Sequence, residues 1–553
     1  MLYTFLLLLV ILFLAEYSTT ATTIRLPIIK RSISSNRYEK RQNSNITTIN
    51  PRPMIENTKL YNDEASEYLI RVGVGTPPQN FTLALDTGSS DLWIPSKECP
   101  SQSCPLARFD TNQSTTYKET NNPFKIIYGI GNASGTYARD TISVGQLQVQ
   151  NQLFGLAKQT DDIVAPGLSS EDLQELTSQG AHVHKGDDMI DDRDEIANGI
   201  FGLGYPHLAS SLSHNINKKN NTYTNDPFVF NLAKQGFIAE PIFSIYMGSM
   251  FDEGWVGEIL FGGINQDMYQ EPLIYAPVVS FEKNKSNAPH TYWMTHGQGI
   301  RVVHENQTRL TDHVFPEKHG FIIDTGTTLT YMDHAIANQV VQAAVGEHHV
   351  VLDDASGTYI VPCNMDSLSS HLQLFLIPEK QQNKTHNKNK RQEKNGKPKE
   401  NSHDDDDDFI LISVPMRDLV IPLDNDDLGK ATQCMFGIAP WLPSDSETAN
   451  QLGNQGFVLV GDTVLRSTYL VFDMGNDRIG FASARATGGY VTRESSNSIH
   501  NNNTNMGNHG NSGGSSVEKI SSSSSSQGFL IKLSMSTIMS FIIIIISIEN
   551  YLI

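Results

Sequence analysis

Short apolar runs broken by Gly, Pro and Asn recur along most of the chain. Residues 67–75 (EYLIRVGVG) and 81–85 (FTLAL) set the texture, and it returns at 241–248, 257–263, 320–323, 457–461 and 469–482. Runs of this length, rich in Val, Ile, Phe and Tyr and bounded by turn formers, predict β-strands. Helical periodicity is scarce, and 335–345 is the best candidate for a helix. The chain reads as mostly β.

Three stretches break the pattern. Residues 161–195 hold eleven acids and two bases, 379–400 hold eight Lys/Arg and three Glu, and 404–408 is an unbroken Asp block. None can bury enough apolar surface to offset the entropy of ordering it, so exposed or disordered loops are expected there. The Asp block lacks the Gly and spaced ligands of a calcium loop, and no His or Cys spacing matches a zinc site, so neither a metal nor another cofactor is expected.

Both ends are apolar. Residues 5–14 (FLLLLVILFL) followed by small residues predict a secretory signal peptide over 1–21, cleaved between 15 and 21. The uncharged run 533–548 at the other end follows a polar Asn/Gly/Ser stretch and a serine run, 521–526. That layout predicts a GPI-attachment signal over 529–553, with Gly514 as the attachment residue, Gly513 and Asn511 as alternatives to it, and 487–528 as a stalk; a single spanning helix is the alternative to the whole signal. The GPI lipid is thus an expected partner, and the plasma membrane or cell wall the expected location.

Residues 22–41 contain six basic side chains and one acid and end in Lys40-Arg41. In a secreted chain this predicts a pro-peptide removed by a kexin-like processing protease. A second dibasic pair, Lys390-Arg391, sits in the 379–408 loop, where nicking is expected to concentrate.

Composition narrows the class. With 553 residues, 39% of them hydrophobic, the chain can build a sizeable core, and a net charge of -19 disfavours a nucleic-acid partner. Four cysteines exclude a disulfide-dense scaffold. Nine Asn-x-Ser/Thr sequons begin at Asn45, Asn80, Asn112, Asn132, Asn220, Asn284, Asn306, Asn383 and Asn502, as expected of a glycoprotein.

The chemistry lies in an internal repeat. Asp86-Thr87-Gly88-Ser89-Ser90 follows an apolar run and returns as Asp324-Thr325-Gly326-Thr327-Thr328 after another. Each copy is followed at a distance by two apolar residues and Gly, as Ile200-Phe201-Gly202 and Leu459-Val460-Gly461. A carboxylate at the end of a buried strand is held rigidly, Gly lets another chain approach closely, and the Ser or Thr hydroxyl beyond it can bond the carboxylate. Two such turns face to face would bring Asp86 and Asp324 together to share one proton. One carboxyl then acts as base on a water while the other protonates the substrate carbonyl.

These motifs resemble the pepsin-like aspartic proteases over most of 67–486. Residues 86–96 are close to that family's first active-site motif, and 198–206, 257–263 and 471–482 are similar to other family segments. The resemblance implies a bilobal fold with the cleft between two related lobes, 67–310 and 311–486, and a monomer. It makes Tyr128 the flap tyrosine, followed by Gly129, and has Trp93 hydrogen-bond it. Thr87 and Thr325 would support the site. It also pairs Cys99 with Cys104 and Cys363 with Cys434, so a chain cut at Lys390-Arg391 would remain two disulfide-linked pieces. Asn198 stands where the family usually has Asp.

The acidic insertion and GPI tail look like the fungal yapsins and cell-surface candidapepsins, which implies cleavage at basic or dibasic sites. An acidic protein attracts cationic peptides, and Glu67, Asp91 and the 161–195 insertion are candidate contributors. The expected function is a surface-anchored aspartic endopeptidase acting on peptides and proteins with basic residues. The alternative is a catalytically silent wall glycoprotein or peptide-binding module on the same fold; it would be expected to have lost an Asp, its Gly or the flap tyrosine, and all are present.

Overall fold

β-Branched and aromatic residues interrupted by turn formers leave few windows in which a helix could extend, and strands take up more than half of the described residues. The computed structural model describes residues 56–63, 67–128, 131–161, 163–164, 196–209, 226–250, 252, 254–280, 288–346, 350–353, 356–364, 369–380, 408–423, 429–441, 456–495 and 518–519. The first strands are β1 (Glu56–Asp63), β2 (Glu67–Val74), β3 (Gln79–Asp86), β4 (Leu92–Pro95), β5 (Lys118–Tyr128), β6 (Gly131–Val144), β7 (Leu147–Asp161) and β8 (Ile200–Gly202). They are followed by β9 (Ile242–Tyr246), β10 (Gly254–Phe261), β11 (Tyr269–Pro277), β12 (Met294–Val303), β13 (Arg309–Ile323) and β14 (Thr330–Met332). Further strands lie beyond residue 350.

The fold is bilobal. A thirteen-stranded sheet starts at β11, takes in the later strands Arg478–Ala484 and Thr468–Asp473, and continues through β9, β10, β1, β2, β3, β8, β4, β7 and β6 to β5. An eight-stranded sheet contains β12, β13 and β14, together with Val458–Val460, His371–Leu376 and Asp408–Pro415. The expected division at 310/311 falls inside β13, whose Arg309 end pairs with Val303 of β12. The β12–β13 hairpin therefore belongs whole to the second sheet, because its strands hydrogen-bond to each other along their length.

The repeat read in the sequence is a repeat of structure. β3 runs parallel to β8, with Leu85 opposite Phe201 and Asp86 opposite Gly202. β13 runs parallel to Val458–Val460, with Ile322 opposite Leu459 and Ile323 opposite Val460. In each copy the strand after the aspartyl turn, β4 or β14, pairs antiparallel with that same short strand. Asp86 thus ends, and Asp324 directly follows, a strand clamped on both sides, and the core is continuous beneath both turns.

Among the described residues the α-helices are α1 (Phe228–Lys234), α2 (His334–Val345) and α3 (Asp462–Leu465). α2 coincides with the one sequence window of helical periodicity. Asp333 caps it by accepting from the Ala335 and Ile336 amides at 2.8 and 3.4 Å, and Gly346 ends it at φ 66°.

The low-complexity stretches are anchored at their margins. Asp161 is the last residue of β7, and Ile163 and Val164 behind it are buried. Glu379 donates its amide to the Tyr275 carbonyl at 2.8 Å and its carboxylate accepts from Arg478 at 3.4 Å. Asp408 opens a strand opposite Ser495. Of the loop expected over 379–408, the stretch 381–407, with Lys390, Arg391 and Asn383, lies outside the described residues. So do the signal peptide, the pro-peptide with Lys40 and Arg41, the stalk around Gly514, the apolar tail, most of 161–195, and Asn45, Asn220, Asn284 and Asn502.

Candidate active site

β3 and β13 approach end to end, so that the two Asp-Thr-Gly turns meet. Thr87 Oγ1 donates to the Ile323 carbonyl at 2.9 Å and accepts from the Thr325 amide at 3.0 Å. Thr325 Oγ1 returns the pair, donating to the Leu85 carbonyl at 3.1 Å and accepting from the Thr87 amide at 3.2 Å. The four bonds are buried, and each threonine is held by the opposite turn.

This exchange brings the carboxyls into one site. Gly88 N–H donates to Asp86 Oδ1 at 2.8 Å and to Asp324 Oδ1 at 3.1 Å, and Gly326 N–H donates to Asp324 Oδ1 at 2.9 Å. Asp86 and Asp324 are 4% and 5% exposed, too little for water to screen one from the other. Burial raises the pKa of Asp324 well above the usual carboxylate range. The neighbouring Asp86 charge adds to this, while the Thr327 hydroxyl and the Gly326 amide oppose it.

The supporting hydroxyls are not equivalent. Thr327 Oγ1 donates to Asp324 Oδ2 at 2.8 Å. Ser89 Oγ, expected to do the same for Asp86, is buried and has no hydrogen-bond partner among the described residues. The serine rotor is not constrained by a second Cβ substituent as threonine's is. Thr327→Val should therefore raise the Asp324 pKa further, because the lost bond favours the charged form. The alkaline limb of the pH–activity profile should move up by about half a unit in that variant and stay in place in Ser89→Ala. Equal shifts in both, measured as kcat against pH, would contradict this asymmetry.

The hairpin of β5 and β6 carries Tyr128 at its tip. Trp93 Nε1 donates to the Tyr128 hydroxyl at 2.6 Å, as the resemblance implied, and the two rings lie 6.5 Å apart. Gly129 lies outside the described residues. Both disulfides are present, Cys99–Cys104 with Cα atoms 6.0 Å apart and Cys363–Cys434 at 5.2 Å. Asn198 is buried, and its side-chain amide donates to the Ala107 carbonyl at 2.6 Å.

Glu67 and Asp91, read from sequence as possible surface charges of the cleft, are 5% and 2% exposed. Asp91 accepts from the Tyr137 hydroxyl at 2.8 Å. Their charges are enclosed because the covering elements come from distant sequence. Of the sequons in described residues, Asn80, Asn112 and Asn306 are exposed, while Asn132 is half-buried and donates to Asp161 at 3.4 Å.

Sequence reasoning passed over Asp462, which opens α3 directly after Gly461. It is fully buried, neither carboxyl oxygen has a hydrogen-bond partner among the described residues, and its amide donates to the Thr327 carbonyl at 2.9 Å. Burial raises its pKa well above the usual value, against the pull of Arg466. Its place beside the Leu459-Val460-Gly461 signal was the only hint.

Two related lobes meeting at paired aspartyl turns define a two-carboxyl peptide hydrolase. Residues 67–484 match the family model for eukaryotic aspartyl proteases, and the chain belongs to that family. It is 30% identical over 433 residues to mucorpepsin of Rhizomucor miehei, covering 77% of this chain and 80% of the relative. It is 29% identical over 430 residues to mucorpepsin of Rhizomucor pusillus, covering 77% and 81%, and 26% identical over 418 residues to gastricsin of Homo sapiens, covering 75% and 81%. The protein is an aspartic endopeptidase.

Proposed function

We propose that Asp86 and Asp324 are the catalytic pair of a surface-anchored endopeptidase that cuts peptides and proteins at basic or dibasic sites. The observation that carries the pair is the Gly88 amide, which bonds carboxylates from both turns at once. In the resting site one proton serves both acids, and the raised pKa of Asp324 favours its keeping that proton. The ionised carboxylate takes a proton from water as the water oxygen attacks the substrate carbonyl, and the protonated acid gives its proton to the carbonyl oxygen. When the C–N bond breaks, the departing nitrogen takes the proton that came from water, and a hydroxyl of the collapsing gem-diol gives its proton to the other carboxylate, so the pair returns to its one-proton state.

Tyr128, Gly88, Gly326 and Thr327 line the place where the peptide would lie, with Gly129 next in the flap. Ser89, Trp93, Thr87 and Thr325 support it. Basic specificity is favoured by the net charge of -19 and by the acidic run at 161–195; Glu67 and Asp91, being buried, are withdrawn from that account.

The anchoring proposal rests on the apolar ends and the small-residue stretch around Gly514. The pro-peptide proposal rests on the basic segment that ends at Lys40-Arg41. Cleavage at Lys390-Arg391 would fall between two neighbouring antiparallel strands and between Cys363 and Cys434, so the pieces would stay paired and covalently joined.

The test is digestion of a peptide library by wild type beside Asp324→Asn. Cuts beside Lys or Arg, absent with the variant, support the proposal. Cuts clustered at apolar residues would overturn the basic specificity and leave the pair standing.

A further inference from the structure

We propose that Trp293 is a positioning residue that holds the two aspartyl turns at their working separation, a tie independent of the threonine exchange. The inference rests on the reading of Asp86 and Asp324 as the catalytic pair.

A chain of three hydrogen bonds, two of them made by Trp293, connects the turns. The Leu203 amide donates to the carbonyl of Asp86 itself at 2.8 Å. The Leu203 carbonyl accepts the indole N–H of Trp293 at 3.0 Å. The Trp293 carbonyl accepts the amide of Ile323, the residue before Asp324, at 2.8 Å. The side chain of Trp293 therefore holds the support of the first turn, and its backbone holds the strand of the second.

The indole is fixed as well as bonded. Trp293 is fully buried. Tyr205, two residues beyond Leu203, lies 4.6 Å from it between ring centroids, Phe472 packs against it at 4.9 Å and Phe243 edge-on at 6.0 Å. Tyr205 is itself held by donating its hydroxyl to Asp477 at 3.1 Å. A donor locked from several sides gives its acceptor one position. A tie of this kind matters to a pair that shares a proton, because the splitting of its two ionisations depends on how close the carboxyls are held. If the turns relax apart, the lower ionisation rises, the upper one falls, and the bell of kcat against pH narrows from both sides.

Trp293→Phe keeps a ring and removes the N–H. The expected result is a kcat about tenfold lower, a KM within about twofold of wild type, and a bell narrower by about half a pH unit. Trp441→Phe is the control: its indole N–H also donates to a buried carbonyl, that of Phe457 at 2.9 Å, but both groups lie within the second sheet's side of the molecule. It should lower the melting temperature and leave the bell width unchanged. Should Trp293→Phe fail to accumulate, benzothienylalanine at 293, with sulfur in place of the N–H, gives the same reading. A wild-type bell width in the 293 variant, or equal narrowing in the 441 control, overturns the proposal. Asp324→Asn in the same assay separates the two levels: activity there would overturn the catalytic pair, whereas inactivity there beside a wild-type bell at 293 would overturn the tie alone.

Discussion

Asp86→Asn and Asp324→Asn should each give a folded protein with less than about a thousandth of wild-type kcat/KM. Either change leaves one carboxyl, which can be base or acid but cannot exchange both protons in one turnover. The fold should survive because a carboxamide oxygen can still accept the Gly88 or Gly326 amide that bonds the native carboxylate. Stability adds a second signature for Asp324. Its folded-state pKa is raised above the ordinary value of 3.8, so in wild type its contribution to stability is full below that value and is lost as pH rises through the folded pKa. Asn does not ionise and escapes that loss. The melting temperature of Asp324→Asn should match or exceed wild type near neutral pH and show no gain near pH 3 (about one unit below the ordinary Asp value). Cleavage of a fluorogenic peptide and a melting curve at both pH values check the pair of outcomes. Activity within tenfold of wild type would refute the two-carboxyl reading.

What could be read in the sequence was local. The Asp-Thr-Gly copies and their apolar partners were visible because each is a short contiguous string, and the strands at 67–75 and 81–85 follow from β-branched runs between turn formers. Charged burial was not visible. β2 is covered on both faces, with Arg71 its one exposed position, so no alternation marks Glu67 as inside. The threonine exchange and the Trp293 tie escaped for a related reason. They join residues far apart in the chain, the threonines 238 positions from each other, and exist only once the two strands are set end to end. The unequal roles of Ser89 and Thr327 depend on side-chain rotation inside a packed site, which two nearly identical motifs cannot reveal.

The glycines of the two turns are expected to matter to the opposite aspartate more than to their own. A Cβ built on Gly88 would lie 2.5 Å from Cγ and from both carboxyl oxygens of Asp324, and one on Gly326 would overlap Asp86 Oδ1 and Cγ. Neither glycine has a positive φ, so backbone conformation does not demand glycine there; space does. In Gly88→Ala the methyl must push the Asp324 carboxyl away, or push the turns apart against the four threonine bonds. Either movement also stretches the bond from the Gly88 amide to Asp324 Oδ1, now 3.1 Å. Misplacing a reacting group by about 1 Å costs on the order of 100-fold in rate, so Gly88→Ala and Gly326→Ala should each lower kcat by about that factor. Gly475→Ala serves as control, since a Cβ there meets nothing nearer than Asp473 Oδ1 at 3.5 Å, an ordinary contact. It should turn over at the wild-type rate. A Gly88→Ala enzyme as fast as the Gly475→Ala control would mean that the carboxyls do not sit face to face across the glycines, and the shared-proton mechanism would lose its geometric basis.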